Sequence, residues 1–139
     1  MKKKLFFVSA ILIFFVSCAD EIVTNTPTVF DDVPSTEMPA SFSAIQETVF
    51  NNSCATSGCH SGSVLPNLSA GVAYSNIVNR TSFEVLDYIE PGEPDNSYLL
   101  RKIKGGGISG GRMPDGAPPL NQSVIDSIET WIANGALNN

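Results

Sequence analysis

The sequence predicts a small all-α domain of short helices and long loops, carried behind an export signal. Three observations predict it. Apolar residues recur at helical spacing in four stretches beyond residue 41, most clearly from Val124 to Ile132. Eleven Gly and nine Pro punctuate those stretches and keep each one short. Strand signals are poor apart from an extended piece near Phe83–Ile89, and there is no internal repeat. The 139 residues suffice for one domain once the N-terminus is set aside, and 42% hydrophobic content supplies a modest core.

The N-terminus reads as an address. Met1-Lys-Lys-Lys4 is positively charged, and Leu5–Val16 is an apolar run interrupted only by Ser9. Twelve helical residues rise about 18 Å, short of a hydrocarbon core of roughly 30 Å. Residues 1–17 are therefore expected to be a secretory signal peptide. The segment ends in Phe15-Val-Ser-Cys18, which resembles a bacterial lipobox, with Phe15 where that pattern usually has Leu. The resemblance implies that Cys18 carries lipid and becomes the mature N-terminus. The chain would then be anchored to a bacterial membrane, facing the periplasm or the cell surface. Each buried CH₂ of such an anchor contributes about 0.8 kcal/mol. An ordinary cleaved signal with an incidental Cys is the alternative. From Cys18 to Ala40 the chain places Pro27, Pro34 and Pro39 among Thr, Ser and acidic residues, the composition of an extended tether. Asp20 and Glu21 beside Cys18 resemble the surface-export signals of some Gram-negative phyla.

The domain is expected over residues 41–139. Phe42, Ile45, Val49 and Phe50 lie on one face of a first helix that Ser41 or Ser43 can cap. A second short helix is expected over Ser69–Asn79, with Val72, Tyr74, Ile77 and Val78 inward. A third starts at Ser97, buries Tyr98, Leu99, Leu100 and Ile103, and stops at Gly105-Gly106-Gly107. The last carries Val124, Ile125, Ile128, Trp131 and Ile132 as one stripe. Asn121 or Ser123 can cap its start, and Gly135 can end it in a left-handed turn.

Charge narrows the partners. Net charge is −6 overall, and loss of Lys2, Lys3 and Lys4 with the signal leaves five basic groups against fourteen acidic, or −9. Such a chain repels nucleic acid phosphates. It suits a basic protein partner, or simple solubility.

The most informative stretch is Cys54-Ala-Thr-Ser-Gly-Cys59-His60. The spacing C-x-x-C-H marks covalent attachment of c-type haem, and here the spacer has four residues instead of two. Two thiols add across the haem vinyl groups, and the His after the second Cys ligates the iron. The longer spacer bulges without moving Cys59 relative to His60, and Gly58 can take the positive φ of such a bulge. Three other readings stand beside this one. A Cys54–Cys59 disulfide is ordinary in exported proteins, but it leaves His60, the single His of the chain, unexplained. Zinc wants four ligands, so a carboxylate would have to join Cys54, Cys59 and His60. A redox-active dithiol normally has two residues between its Cys.

With one His, the second axial ligand must be of another type. Met1 leaves with the signal and Met38 precedes the domain, whereas Met113 sits in Gly110-Gly-Arg-Met-Pro114, a loop just ahead of the last helix. Thioether ligation by Met113 is the functional reading; filling a gap in the core is the bland one.

The order of C-x₄-C-H, a Met-Pro loop and a helix ending Trp-Ile-x-x-Gly-Ala resembles class I cytochrome c. More narrowly, it resembles the monohaem domains of exported bacterial proteins with a C-x₄-C-H motif. The matching pieces are residues 49–62, 68–79, 89–105, 111–120 and 128–136, most of the span from 42 to 136. The resemblance implies a cytochrome c-like fold around one haem c. Cys54 and Cys59 would form thioethers, His60 would be the proximal iron ligand and Met113 the distal one. Trp131 would pack where the last helix crosses the first. A backbone carbonyl near Pro91-Gly92 would orient His60, and Arg101, Lys102 or Arg112 would reach the propionates, with a solvated surface charge as the alternative for each. The function implied is extracytoplasmic electron transfer to other redox proteins, without acid–base or nucleophilic catalysis. The rivals are a haem peroxidase or gas sensor with a displaceable Met113, and a haem-free, disulfide-linked surface interaction module.

Overall fold

Ser41 is extended, and its Oγ accepts the Ala44 N–H at 3.3 Å, capping α1 (Phe42–Ile45). After one turn the helix widens. Residues Gln46–Cys54 form a π-helix, and beyond them the Ala55 N–H reaches the Phe50 carbonyl at 2.7 Å. Pitch decides which residues share a face. At about 100° per residue an α-helix would turn Cys54 to the side opposite Ile45. With i→i+5 bonding each residue turns by roughly 80°, so nine residues complete about two turns. Cys54 therefore joins Ile45, Val49 and Phe50 and packs against the core.

A computed structural model describes residues 37–139. The expected signal peptide, Cys18 and the tether up to residue 36 lie outside the described residues. Met38 and Ala40 pack against the core, and the Ser127 hydroxyl donates to the Met38 carbonyl at 2.7 Å. The domain is all-helical, with short helices and loops and, among the described residues, no strand. No helix among the described residues is long and apolar enough to cross a membrane.

The second helix is shorter than its periodicity suggests: α2 spans Ala73–Ile77. Val78 leaves the helix to pair in parallel with Ile89, and the Asn79 N–H reaches the Ile89 carbonyl at 3.0 Å. Val72 precedes the helix and faces outward, not inward as expected. The extended piece near 83–89 reduces to two isolated bridges, Val78 with Ile89 and Thr81 with Asp87. A 3₁₀ turn at Pro94–Asn96, absent from the sequence reading, leads into α3 (Tyr98–Lys104). Tyr98, Leu99, Leu100 and Ile103 are buried as expected, and Gly105 ends the helix at φ +78°.

α4 (Gln122–Ala133) buries Ile125, Ile128, Trp131 and Ile132; Val124 is half-buried. Asn121 occupies the N-cap position without a side-chain cap bond. After Gly135, at φ +91°, the chain folds back over the first helix. There the Trp131 indole N–H donates to the Leu137 carbonyl at 2.8 Å, and the Ser43 N–H donates to that of Asn139 at 2.8 Å. Trp131 meets Phe42 at a centroid distance of 5.8 Å, so the last helix does pack on the first through this ring.

Long loops must satisfy their backbone groups without ladders. Ser97, fully buried, is one device: its Oγ accepts the Glu90 N–H at 2.9 Å and donates to the Glu93 carbonyl at 3.1 Å. Ser97→Ala would strand both groups and is expected to destabilise the domain by about 1–3 kcal/mol. Urea unfolding measures this; a loss within error of zero would show that the loop finds other partners.

Candidate functional site

The site begins where the π-helix ends. Cys54 is half-buried, and the chain then turns through Gly58, whose φ of +81° is the positive value expected of the wide spacer. The Cys59 N–H reaches the Thr56 carbonyl at 3.0 Å and the His60 N–H reaches that of Cys54 at 3.0 Å, which closes the loop. Cys59 is exposed, and the two sulfurs are separate thiols. Among the described residues, no three His, Cys, Asp or Glu side chains converge on a point that would hold a metal ion, so a zinc site finds no ligand set.

His60 is held by its own following loop. Its Nδ1 lies 3.1 Å from the Pro66 carbonyl, and its carbonyl accepts the Leu68 N–H at 2.7 Å. A carbonyl only accepts, so this contact puts the proton on Nδ1 and leaves the neutral ring a lone pair on Nε2. The orienting carbonyl is thus Pro66, not one near Pro91-Gly92. Gly92 instead ties its N–H to the Ile132 carbonyl of α4 at 2.8 Å.

His60 and Cys54 line a cleft with about 730 Å³ of atom-free space, continuous with solvent. Phe50 and Leu68 form its floor with Leu99 and Ile103 of α3, and Tyr88 and Tyr98 add their rings. Met113 also lines it, 53 residues after His60 in sequence. The Met113 N–H is fixed to the Lys102 carbonyl at 2.8 Å. The fold therefore brings Cys54, His60 and Met113 to one apolar cleft and leaves Cys59 outside its wall.

Several contributors escape sequence reasoning. Val64, Leu65 and Phe83 line the cleft yet stay exposed, Leu65 at 77% and Phe83 at 75%. Apolar side chains left in water beside an apolar cleft suit a hydrophobic ligand that would cover them. Val-Leu-Pro within an otherwise Gly/Ser-rich loop was the available signal. The three basic residues near the site bond to backbone carbonyls: Arg101 to Asp95 at 2.6 Å, Lys102 to Gly111 at 2.6 Å and Arg112 to Ala117 at 3.0 Å.

Burial, and then the nearby Cys59, pushes the Cys54 thiol up to about 11. Hydrogen bonds from Ser109 pull the Glu84 carboxyl below its ordinary value, with help from Lys102. Glu84 Oε1 accepts the Ser109 N–H at 2.9 Å, linking the loop that carries Phe83 to the loop that leads to Met113.

Two predictions follow from these groups. At pH 8 a thiol at about 11 holds about a hundredfold less thiolate than one at 9.0. Its greater nucleophilicity restores roughly a factor of ten. Chain produced without haem should therefore alkylate at Cys54 at least about tenfold more slowly when folded than when unfolded in urea, by peptide mass spectrometry. Equal rates would contradict the burial of Cys54. Because the Glu84 carboxyl is lowered in the folded state, its link to Ser109 is intact at neutral pH. It is lost as pH falls through that lowered value. Exchange of the Ser109 amide, relative to its intrinsic rate, should rise in that window, and Glu84→Gln should abolish the step.

Compared with protein-family models, with curated proteins and with solved structures, the chain matches none.

Proposed function

We propose that this domain is an extracytoplasmic electron carrier with one covalently held c-type haem and a cytochrome c-like fold. The observation that carries the reading is the meeting of Cys54, His60 and Met113 in a single apolar cleft. A porphyrin needs flat apolar walls, a thiol at their edge, and iron ligands that are neutral in a poorly solvated site. Haem c would supply a one-electron Fe(III)/Fe(II) couple.

Everything else falls to the chain. Cys54 and the exposed Cys59 would hold the two vinyl positions, and the separation of their sulfurs leaves both thiols available. His60 would ligate through Nε2, its ring oriented by the Pro66 carbonyl. Met113 would be the distal ligand, delivered by the loop fixed to α3. Phe50, Leu68, Leu99 and Ile103 would keep water from the iron, while the exposed rim at Leu65 and Phe83 would shield the macrocycle's faces. With His60 and Met113 both holding the iron, no coordination site would be left for substrate, which favours electron transfer over peroxidase chemistry. The proposal extends to a lipid anchor at Cys18 and to transient redox partners outside the cytoplasm.

Expression with haem-attachment machinery tests this directly. The purified protein should carry the mass of one haem and give a low-spin spectrum. Its ferric form should show the long-wavelength sulfur–iron charge-transfer band. Met113→Ala should keep the pigment and become high-spin; Cys59→Ala should lose stable attachment. Colourless protein from a competent host, with Cys54 and Cys59 joined as a disulfide, would end the reading in favour of an interaction module. A high-spin wild type would favour the peroxidase or sensor.

A further inference from the structure

The loop from Gly105 to Met113 contains five glycines, at 105, 106, 107, 110 and 111. Gly105, Gly107 and Gly110 all adopt positive φ. Such a segment has more backbone freedom than any other in the domain and, left to itself, would hold Met113 in no single place. One residue grips it at three points. The Lys102 carbonyl accepts the Met113 N–H at 2.8 Å, while its ammonium donates to the Ser109 carbonyl at 3.2 Å and the Gly111 carbonyl at 2.6 Å. The loop is shaped around that ammonium: a Cβ on Gly110 would stand 3.3 Å from Lys102 Nζ. The same side chain lines the cleft, so it joins α3 to the loop at the site itself.

We infer that Lys102 is the positioning residue of Met113, clamping the 105–113 loop onto α3 so that the thioether is presented to the cleft. The role of Met113 as a ligand rests on the haem reading above; the clamp does not. Its donors are charged, and hydrogen bonds from an ionised donor are stronger than neutral ones. The Glu84 carboxylate, which holds the Ser109 N–H, also feels the ammonium, but the direct partners of Nζ are carbonyls, so its role at the loop is geometric: it gathers Ser109 and Gly111 onto α3.

The experiment compares wild type with Lys102→Leu, which keeps an apolar stem, removes the donors and adds no sulfur, and with Lys102→Arg, which keeps them. Full-length holoprotein is used. In Lys102→Leu the sulfur–iron band should weaken, and exogenous imidazole should displace Met113 with about tenfold higher apparent affinity, the effect expected from losing roughly one net hydrogen bond. Lys102→Arg should retain wild-type values. Hydrogen exchange followed by mass spectrometry should accelerate across residues 105–113 in Lys102→Leu, with the α3 and α4 peptides unchanged. An unaltered band and imidazole affinity in Lys102→Leu would overturn the inference. So would failure of Lys102→Arg to restore them, or acceleration spread over the whole domain. Should wild type itself lack haem or the sulfur band, the functional proposal fails, whereas acceleration confined to the loop would still establish the clamp.

Discussion

The pitch of residues 46–54 sets the geometry of the site. An α-helix over the same residues would carry Cys54 away from the core, and His60 with it. The π-helix returns Cys54 to the face of Ile45, and a short circuit of hydrogen bonds then locks the result. The His60 N–H binds the Cys54 carbonyl, the Leu68 N–H binds the His60 carbonyl, and the Leu68 carbonyl takes the Gln46 amide at 2.9 Å. Gln46 stands on the first turn of the widened helix, so the circuit closes on the element where it began. Such wide helical turns are rare and concentrate at functional sites, because they trade regular bonding for the placement of one side chain. The cost is visible in Gln46 itself, whose buried Oε1 has no partner among the described residues.

Side chains substitute throughout for absent ladders. Ser97 gathers Glu90 and Glu93, the Asn76 amide holds the Asn67 carbonyl at 3.0 Å, and the Tyr74 hydroxyl holds that of Ala136 at 3.0 Å. Each is a polar group spent on a loop carbonyl or amide beside the apolar core. The arrangement keeps loops in fixed places without covering the cleft. A core this small gains by burying every large apolar side chain, yet Leu65 and Phe83 remain in water. Val85 and Leu137 are exposed too, so it is the place of Leu65 and Phe83 beside the cleft that suits a hydrophobic ligand there.

Much of this was legible beforehand. The third and fourth helices were readable because α-periodicity and glycine stops agree there with tertiary packing: Tyr98 to Ile103 bury as one face, and Gly105 ends it. The second helix was misjudged at its ends. Val78 has helical neighbours but a stronger claim elsewhere, its pairing with Ile89, and such long-range contacts leave no local trace. The convergence of Cys54, His60 and Met113 followed from motif order, but the means did not. Periodicity analysis assumes an α pitch, so it accounts for Val49 and Phe50 and is blind to the turn that places Cys54. The orienting carbonyl was sought at Pro91, yet Pro66 lies six residues from the ring and needs no distant segment. For Arg101, Lys102 and Arg112 the resemblance implies contact with a ligand's acidic groups, and a solvated surface charge is the alternative; in the fold each donates to a backbone carbonyl.

The charge balance around the cleft bears on what the proposed haem would do. Its two axial donors would be neutral, an imidazole and a thioether, and its walls are almost entirely apolar. Lys102 is the one ionised group among the lining residues, and its ammonium is turned toward Ser109 and Gly111. An apolar lining would disfavour the oxidised state of such a haem, and soft sulfur ligation would act in the same direction. The acidic exterior opposes both, since negative charge stabilises Fe(III). Its carboxylates, however, stand in water and are screened within about 8–10 Å at physiological salt. On this reading the apolar interior would push the potential upward, and the negative surface would bear on which partners approach.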